Sequence, residues 1–245
     1  MTDKPVLFLL PGLMCDEAVW VDQQKTLSPF ANVIIPVFRG FDCLTDMAAY
    51  VLEQAPEQFS VAGHSMGGRV AWELMELAGN RIDKFAVLDS GVHPVKDDEP
   101  QKRQILLDKA LEQGLQAVAD AWTLPMLHPT RHQDTKLIQE IHAMILRNSV
   151  DDFFGQVKAL LGRKDQTGIL AGIEQEVLLI AGDEDSWSPP QQHQQMAGQL
   201  KRCHLEIITD AGHMVTMEKP EAVSKVLLQW FTGTAGTAEN SEIES

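Results

Sequence analysis

Short apolar segments alternate with longer segments of helical periodicity along most of the chain. The short segments are continuously apolar, as expected of strands that are buried on both faces of a sheet. The helical patterns between them predict βαβ units, and hence an α/β fold with a doubly wound, mainly parallel sheet. The predicted strands are Val6–Leu10, Val33–Pro36, Phe59–Ala62, Phe85–Asp89, Val177–Ala181 and Leu205–Ile208.

Three helices are predicted beside these strands. The clearest follows Ser65, where an apolar stripe at helical spacing ends at Gly79. A second begins near Ser188, which we predict to be its N-cap because two prolines and a glutamine follow it. A third begins near Pro220 and runs to about Trp230.

The alternation stops between residues 94 and 172, where helical pattern continues without a strand signal. An insertion of this kind after a sheet strand is expected to cover the strand ends as a cap. Its predicted helices are Ile105–Leu111, Leu115–Trp122, Lys136–Leu146 and Asp152–Leu161. We therefore predict a core of residues 1–93 and 173–232, a helical cap of residues 94–172 and a disordered tail of residues 233–245.

A Gly-x-Ser-x-Gly sequence at residues 63–67 gives the first chemical signal. It comes directly after a predicted buried strand and directly before a predicted helix. That context is typical of a nucleophile elbow, a sharp turn that lifts a serine above a parallel sheet. The flanking glycines agree with it, because the turn is strained and the adjoining backbones pack too closely for a Cβ atom. Ser65 is therefore the candidate nucleophile.

A serine hydroxyl is a weak nucleophile, so Ser65 needs a base and a carboxylate nearby. His213 lies on the loop after the last predicted strand. The loop after the preceding strand carries three carboxylates, Asp183, Glu184 and Asp185. Both loops and Ser65 follow the carboxyl ends of strands, where open α/β sheets place their sites. The sequence therefore predicts that three separated segments meet at one edge of the sheet.

With these motifs in this order, the chain resembles the α/β-hydrolase superfamily, in its branch of esterases, enol-lactonases and haloperoxidase-like proteins. The resemblance runs from Val6 to about Phe231. Residues 182–189 match the Gly-x-x-Asp-x-x-x-Pro acid loop of the family, which implies that Asp185 is the acid. Asp89 stays open as an alternative, because some lipases of the superfamily place their acid after that earlier strand.

The resemblance also implies an oxyanion hole of two backbone N–H groups. One belongs to Met66, directly after the serine, and the other to Leu13, on the loop after the first strand. Relatives usually have His-Gly in that loop, whereas this chain has Pro11-Gly12, and a backbone donor does not depend on that side chain. Only five residues precede Val6, so we expect the antiparallel hairpin that usually opens the fold to be missing.

Apolar and aromatic side chains around Pro125 are candidates for a substrate pocket, with packing inside the cap as the alternative. They are Trp122, Leu124, Met126 and Leu127. Arg69, just inside the helix after the serine, is interpreted as a solvated or salt-bridged residue, and binding of a substrate carboxylate is the alternative.

These residues predict a serine hydrolase that cleaves a small to medium carboxylic ester, lactone or thioester through an acyl-enzyme on Ser65. This chemistry needs no metal and no organic cofactor. Two alternatives stay open. One is a hydrolase of C–C bonds that uses the same three residues, and the other is a ligand-sensing protein with slow turnover.

Composition restricts the partners. The chain has 20 basic and 35 acidic residues and a formal net charge of −15, which argues against binding to nucleic acid or to an anionic membrane surface. Three separated cysteines without CxxC spacing argue against a zinc site and favour reduced thiols in a cytoplasmic protein. No apolar run approaches about 18 residues, so no membrane span is predicted. The expected partner is a small ester-type molecule, and the oligomeric state is left open.

Overall fold

Six parallel strands form one sheet at the centre of the computed structural model, which describes residues 4–233. The strand order is β2-β1-β3-β4-β5-β6, and all five neighbouring pairs are parallel. The doubly wound sheet predicted from the apolar segments is therefore confirmed. The strands are β1 Val6–Leu10, β2 Asn32–Ile34, β3 Phe59–His64, β4 Ile82–Leu88, β5 Val177–Gly182 and β6 Cys203–Ile208.

The sheet runs outward in two directions from β1. After β1 the chain forms β2 on one side and then returns to place β3 on the other side. Strands β3 and β5 are buried at every position, which accounts for the unbroken apolar sequence of β5 and the mainly apolar sequence of β3. Loops at the carboxyl ends of β1 and β3 lie beside this reversal of strand order, where α/β sheets open a crevice.

Helices cover both the sheet and the crevice. Helix α3 buries its apolar stripe against β3 and β4, and α9 packs on α1. Pro220 opens α9 and Gly233, in the left-handed conformation with φ 71°, ends it. The helices are α1 Val21–Leu27, α2 Leu44–Gln54, α3 Met66–Ala78, α4 Glu99–Met126, α5 Thr135–Leu146, α6 Val150–Leu161, α7 Pro190–Ala197, α8 Val215–Glu218 and α9 Pro220–Thr232.

The start of α7 differs from the prediction. The residue before its first turn is Pro189, and no side chain caps it. Ser188 lies one position too early, and its N–H donates to Asp185 Oδ1 at 3.0 Å. The polar residue before the prolines therefore serves the loop of Asp185 rather than the helix.

Helices α4, α5 and α6 lie between β4 and β5, and we call them the inserted helices. Two of the four helices predicted in this segment are the halves of α4, which join at Gly114 (φ 79°, ψ 175°). A short 3₁₀ helix, Thr167–Gly172, leads from α6 back to β5. The division into a core and a cap stays a prediction, and the predicted tail lies outside the described residues apart from Gly233.

None of the helices found within residues 4–233 combines the length and the apolar character that a membrane crossing requires.

Candidate active site

Ser65 stands at a strained turn between β3 and α3. Its φ of 54° and ψ of −116° put a residue with a Cβ atom in a region that such residues seldom adopt. The Ser65 N–H donates to Leu88 O at 2.9 Å, which ties the turn to the end of β4. The turn therefore presents the Ser65 hydroxyl above the carboxyl end of the sheet.

The glycines around Ser65 allow backbone segments to approach each other closely. A Cβ atom on Gly63 would lie 2.3 Å from Gly67 O, and one on Gly67 would lie 2.1 Å from Leu10 O. Neither position has room for a side chain, as the motif predicts. The packing of α3 against β1 and β3 therefore depends on these two residues.

A chain of two hydrogen bonds joins the three side chains that the sequence places on separate loops. Ser65 Oγ lies 2.8 Å from His213 Nε2, and His213 Nδ1 lies 2.8 Å from Asp185 Oδ2. With Nδ1 donating its proton to the carboxylate, Nε2 is left to accept the hydroxyl proton of Ser65. The arrangement can take a proton from the serine and hold the resulting imidazolium beside a negative charge.

Asp185 is fully enclosed and strongly hydrogen-bonded. Its Oδ1 accepts from the N–H groups of Trp187 (2.8 Å) and Ser188 (3.0 Å). Burial alone would raise the pKa of Asp185, but His213 and these two donors outweigh it, so the net pKa lies below the ordinary value. The other two carboxylates of this loop, Asp183 and Glu184, are exposed.

Asp89, the alternative acid, occupies a supporting position. Its carboxylate accepts from Gly182 N at 3.0 Å and from Val215 N at 3.3 Å, which ties the end of β5 to the helix after His213. Burial and the nearby Asp185 charge raise the pKa of Asp89 well above its usual range. Since the hydrogen bond from His213 Nδ1 goes to Asp185, Asp89 braces the loops instead.

The loop of His213 is bonded to the inserted helices. His213 N–H donates to Met126 O at 2.7 Å, at the end of α4. Glu218 accepts from Gly212 N (2.9 Å) and Met214 N (3.2 Å) with one oxygen and from His128 N (2.7 Å) with the other. The position of His213 is therefore coupled to the end of α4. No local sequence pattern reveals this bridge by Glu218.

Two backbone donors beside Ser65 are free to bind a ligand. Leu13 and Met66 both line the cavity that contains Ser65. Within the described part of the chain, neither of their N–H groups has a hydrogen-bond acceptor. Met66 is the first residue of α3, where a helix leaves its N–H groups without internal partners. The side chain of Gln156, from α6, accepts from Met14 N at 2.8 Å and fixes the loop of Leu13.

A cavity of about 490 Å³ opens over Ser65 and His213. This size suits a small molecule. Of the predicted pocket residues, Trp122 and Met126 line the cavity, whereas Leu124 and Leu127 do not. The structure corrects those two predictions, because Leu124 is 40% exposed on the outer face of its helix and Leu127 is packed in the core.

Trp187, which no sequence motif singles out, closes the cavity beside His213. Its ring lies 5.0 Å from that of His213 and stacks on Trp122 at 5.5 Å. The sequence signal that could have found Trp187 is its position two residues after Asp185, on a loop that is already predicted to form the site. Trp187 and Trp122 together join the acid loop to α4.

No group of three or more His, Cys, Asp or Glu side chains within residues 4–233 is arranged to hold a metal ion. Cys15 lies beside the cavity, but burial and the neighbouring Asp16 raise the pKa of its thiol to about 12. A thiol with that pKa is a poor nucleophile near neutral pH.

The fold and this site place the chain among the α/β hydrolases, and comparison with known proteins shows the same. The model of the Alpha/beta hydrolase family matches residues 7–226, so the chain belongs to that family. Esterase YbfF of Escherichia coli (strain K12) is 25% identical over 208 residues, which cover 80% of this chain and 76% of that protein. Such a relative supports hydrolase activity on esters in general.

Solved structures of the family share the fold. A thermophilic esterase from Thermogutta terrifontis, with malate bound, superposes with a TM-score of 0.87 at 23% identity and covers 94% of this chain and 90% of its own. The enol-lactonase from Burkholderia xenovorans LB400 gives 0.85 at 20% identity and covers 94% and 92%. At these identities the likeness shows the fold alone.

Proposed function

We propose that the protein is a serine hydrolase that cleaves a small to medium carboxylic ester, lactone or thioester through an acyl-enzyme on Ser65. The observation that carries this proposal is the unbroken hydrogen-bond chain Ser65–His213–Asp185, with both of its distances at 2.8 Å. Two free N–H groups beside the serine support it.

In the first half of the reaction, Ser65 Oγ forms a bond to the substrate carbonyl carbon and its proton passes to His213 Nε2. The N–H groups of Leu13 and Met66 donate to the resulting oxyanion. When the intermediate collapses, the bond to the leaving alcohol or thiol breaks and His213 returns the proton to it. Asp185 holds the imidazolium in place throughout.

In the second half, a water molecule attacks the acyl group and gives its proton to the same His213 nitrogen. The bond to Ser65 Oγ then breaks, the proton returns to the serine, and the carboxylic acid leaves. The apolar wall of the cavity, which includes Trp122, Phe153 and Trp187, favours hydrocarbon parts of a substrate. Every proton is accounted for by side chains of this chain and one water.

The test compares the wild type with Ser65→Ala on p-nitrophenyl butyrate and with a fluorophosphonate probe. We expect label on Ser65 of the wild type and loss of both labelling and hydrolysis in the variant. Ser28→Ala, which removes an exposed hydroxyl that donates to Gln24 O, is the matched control and should keep both. Ligand binding with negligible turnover in the wild type would instead support the ligand-sensing alternative.

A further inference from the structure

Basic side chains gather in one part of the cavity, although the chain as a whole is strongly acidic. Five cationic residues and two carboxylates line this part, so its local balance is opposite to the net charge of −15. We call these seven residues the basic cluster. They are Arg69, Lys96, Asp98, Glu99, Lys102, Arg103 and Arg163.

Both carboxylates of the basic cluster already form ion pairs with other cations of the cluster. Glu99 binds Arg103 through Oε1 (2.7 and 2.9 Å), and it binds Arg163 through both oxygens (2.8 and 2.5 Å). Asp98 pairs with Lys102 at 2.6 Å. Neither carboxylate is left for Arg69.

Arg69 is therefore a buried cation without a counter-ion. It is 6% exposed, and within residues 4–233 no carboxylate forms an ion pair with it. Its guanidinium donates to His93 O at 2.8 Å and contacts the His93 ring at 3.3 Å. Burial and the Arg163 charge lower the pKa of Arg69 to about 9, so it still carries its charge at neutral pH. Glu99 and the exposed Asp165 act on it only from a distance, with no hydrogen bond or ion pair to its guanidinium.

The hydrogen bond from Arg69 to His93 O does not by itself explain why a charged side chain is buried here. The same carbonyl accepts from Arg163 Nε at 3.2 Å, and Arg163 also holds Pro94 O at 3.1 Å. The chain is thus fastened at this junction without Arg69. A neutral amide donor would serve the His93 carbonyl equally well, whereas an unpaired buried cation is costly unless an anion completes it.

Arg69 also lies at a useful distance from the reacting serine. Its N–H donates at 3.3 Å to the carbonyl oxygen of Ser65, the residue that precedes α3, so Arg69 and Ser65 flank the first turn of that helix. Both line the same cavity. An anion on Arg69 would thus be a few methylene groups away from a carbonyl at Ser65.

We propose that Arg69 binds a carboxylate of the substrate, so that the preferred substrates are esters or lactones of a dicarboxylic acid. This inference rests on the proposed hydrolase function and names its substrate class. A planar guanidinium matches the two oxygens of a carboxylate. Arg103 and Arg163 are held by Glu99 and strengthen the local positive potential. A phosphate dianion would call for a second unpaired buried cation, which the described part of the cavity does not offer.

The test measures kcat/KM for monomethyl glutarate and methyl pentanoate, which differ in one terminal carboxylate. We expect the wild type to prefer the acidic ester at least tenfold. Arg69→Gln, which keeps a donor for His93 O but removes the charge, should lower that preference by roughly 10- to 100-fold. Arg69→Lys should retain part of it, because a positive charge remains.

Arg202→Met is the matched control, since Arg202 donates to the Glu174 carbonyl outside this cavity, and its preference should equal that of the wild type. Equal losses on both esters in Arg69→Gln, or a wild type that prefers methyl pentanoate, would overturn the inference. Preference for methyl 4-phosphonobutanoate over monomethyl glutarate would overturn the choice of carboxylate.

A binding experiment separates this inference from the proposed function. Calorimetry on Ser65→Ala should detect monomethyl glutarate, and adding Arg69→Gln should abolish that binding. If no ester is hydrolysed but this Arg69-dependent binding is seen, the anion site stands and the hydrolase proposal fails. If neutral esters are hydrolysed and Arg69 affects neither binding nor preference, the hydrolase stands and the anion site is refuted.

Discussion

The loops at the carboxyl ends of β3, β5 and β6 differ from the inserted helices in the kind of contact they make. In the loops, polar side chains are paired by short hydrogen bonds, and close backbone contacts leave no room for change. The inserted helices contribute a broad apolar wall, with residues such as Trp122, Met144 and Phe153. If the proposed function holds, the difference teaches that the loops supply the reacting groups and the inserted helices supply most of the apolar wall that a substrate would contact.

The largest effect is expected from His213→Ala. Removal of the base leaves the Ser65 hydroxyl without a proton acceptor, so kcat for p-nitrophenyl butyrate should fall roughly 10⁴- to 10⁶-fold. His204→Ala, at an exposed position of β6, is the control and should stay within about twofold of the wild type. A modest loss in His213→Ala would mean that the loops are not where reactivity resides.

Substitutions at two glycines test whether the loops are packed more tightly than the insertion. A Cβ atom on Gly67 would lie 2.1 Å from Leu10 O, so Gly67→Ala should lower the free energy of unfolding by about 3 kcal/mol or more. A Cβ atom on Gly168, at the end of the insertion, would meet no neighbouring atom within 4 Å. Gly168→Ala should therefore change the free energy of unfolding by less than about 0.5 kcal/mol. Urea unfolding measures both, and equal effects would remove the contrast.

A buried histidine makes the core sensitive to acid. His193 on α7 accepts from Ser90 N at 3.3 Å, and burial lowers its pKa to about 4. The folded state thus favours the neutral ring, whereas an unfolded histidine takes up its proton near pH 6.5. Stability from this group is complete above pH 6.5 and is lost as the pH falls towards 4, by about 3 kcal/mol.

His193→Gln should remove this contribution and flatten the dependence of the unfolding free energy on pH between 6.5 and 4. The readout is the difference between the variant and the wild type, because other groups titrate in both proteins. Parallel curves for the two proteins would show that the ring takes up its proton as readily in the folded state as in the unfolded chain.

The smallest effects are expected from substitutions in the apolar wall of the cavity. Trp122→Ala removes the stacking on Trp187 and should raise KM for an apolar ester by roughly 2- to 10-fold, with a smaller change in kcat. Leu124→Ala changes a residue outside the cavity and should stay within about twofold. If Leu124→Ala has the larger effect on KM, the sequence-based pocket is the better description.

The sequence predicts the strands and the loops of the site better than it predicts the inserted helices. The six strands and the candidates Ser65, Asp185 and His213 could be located because continuous apolar runs and glycines with fixed neighbours reflect local physics. The directions of side chains in the insertion could not, because helical periodicity places Leu124 and Trp122 in one stretch without telling which faces a cavity.

Arg69 shows a different reason for failure. Its position near the start of α3 suggests solvent or a salt bridge, but it is buried without an ion pair among the described residues. Its hydrogen-bond partner His93 lies some 24 positions further along the chain, and Arg163, whose charge acts on it, lies some 94 positions further. No local pattern reports contacts between segments that are so far apart.

The most direct test of the account is the intact mass of the protein, trapped by rapid acid quenching during turnover of p-nitrophenyl butyrate. We expect a species that is heavier by one butyryl group, with the addition mapped by peptide sequencing to Ser65 and absent from Ser65→Ala. Hydrolysis of the ester with no acyl group on Ser65, or with the acyl group on another residue, would contradict the central claim.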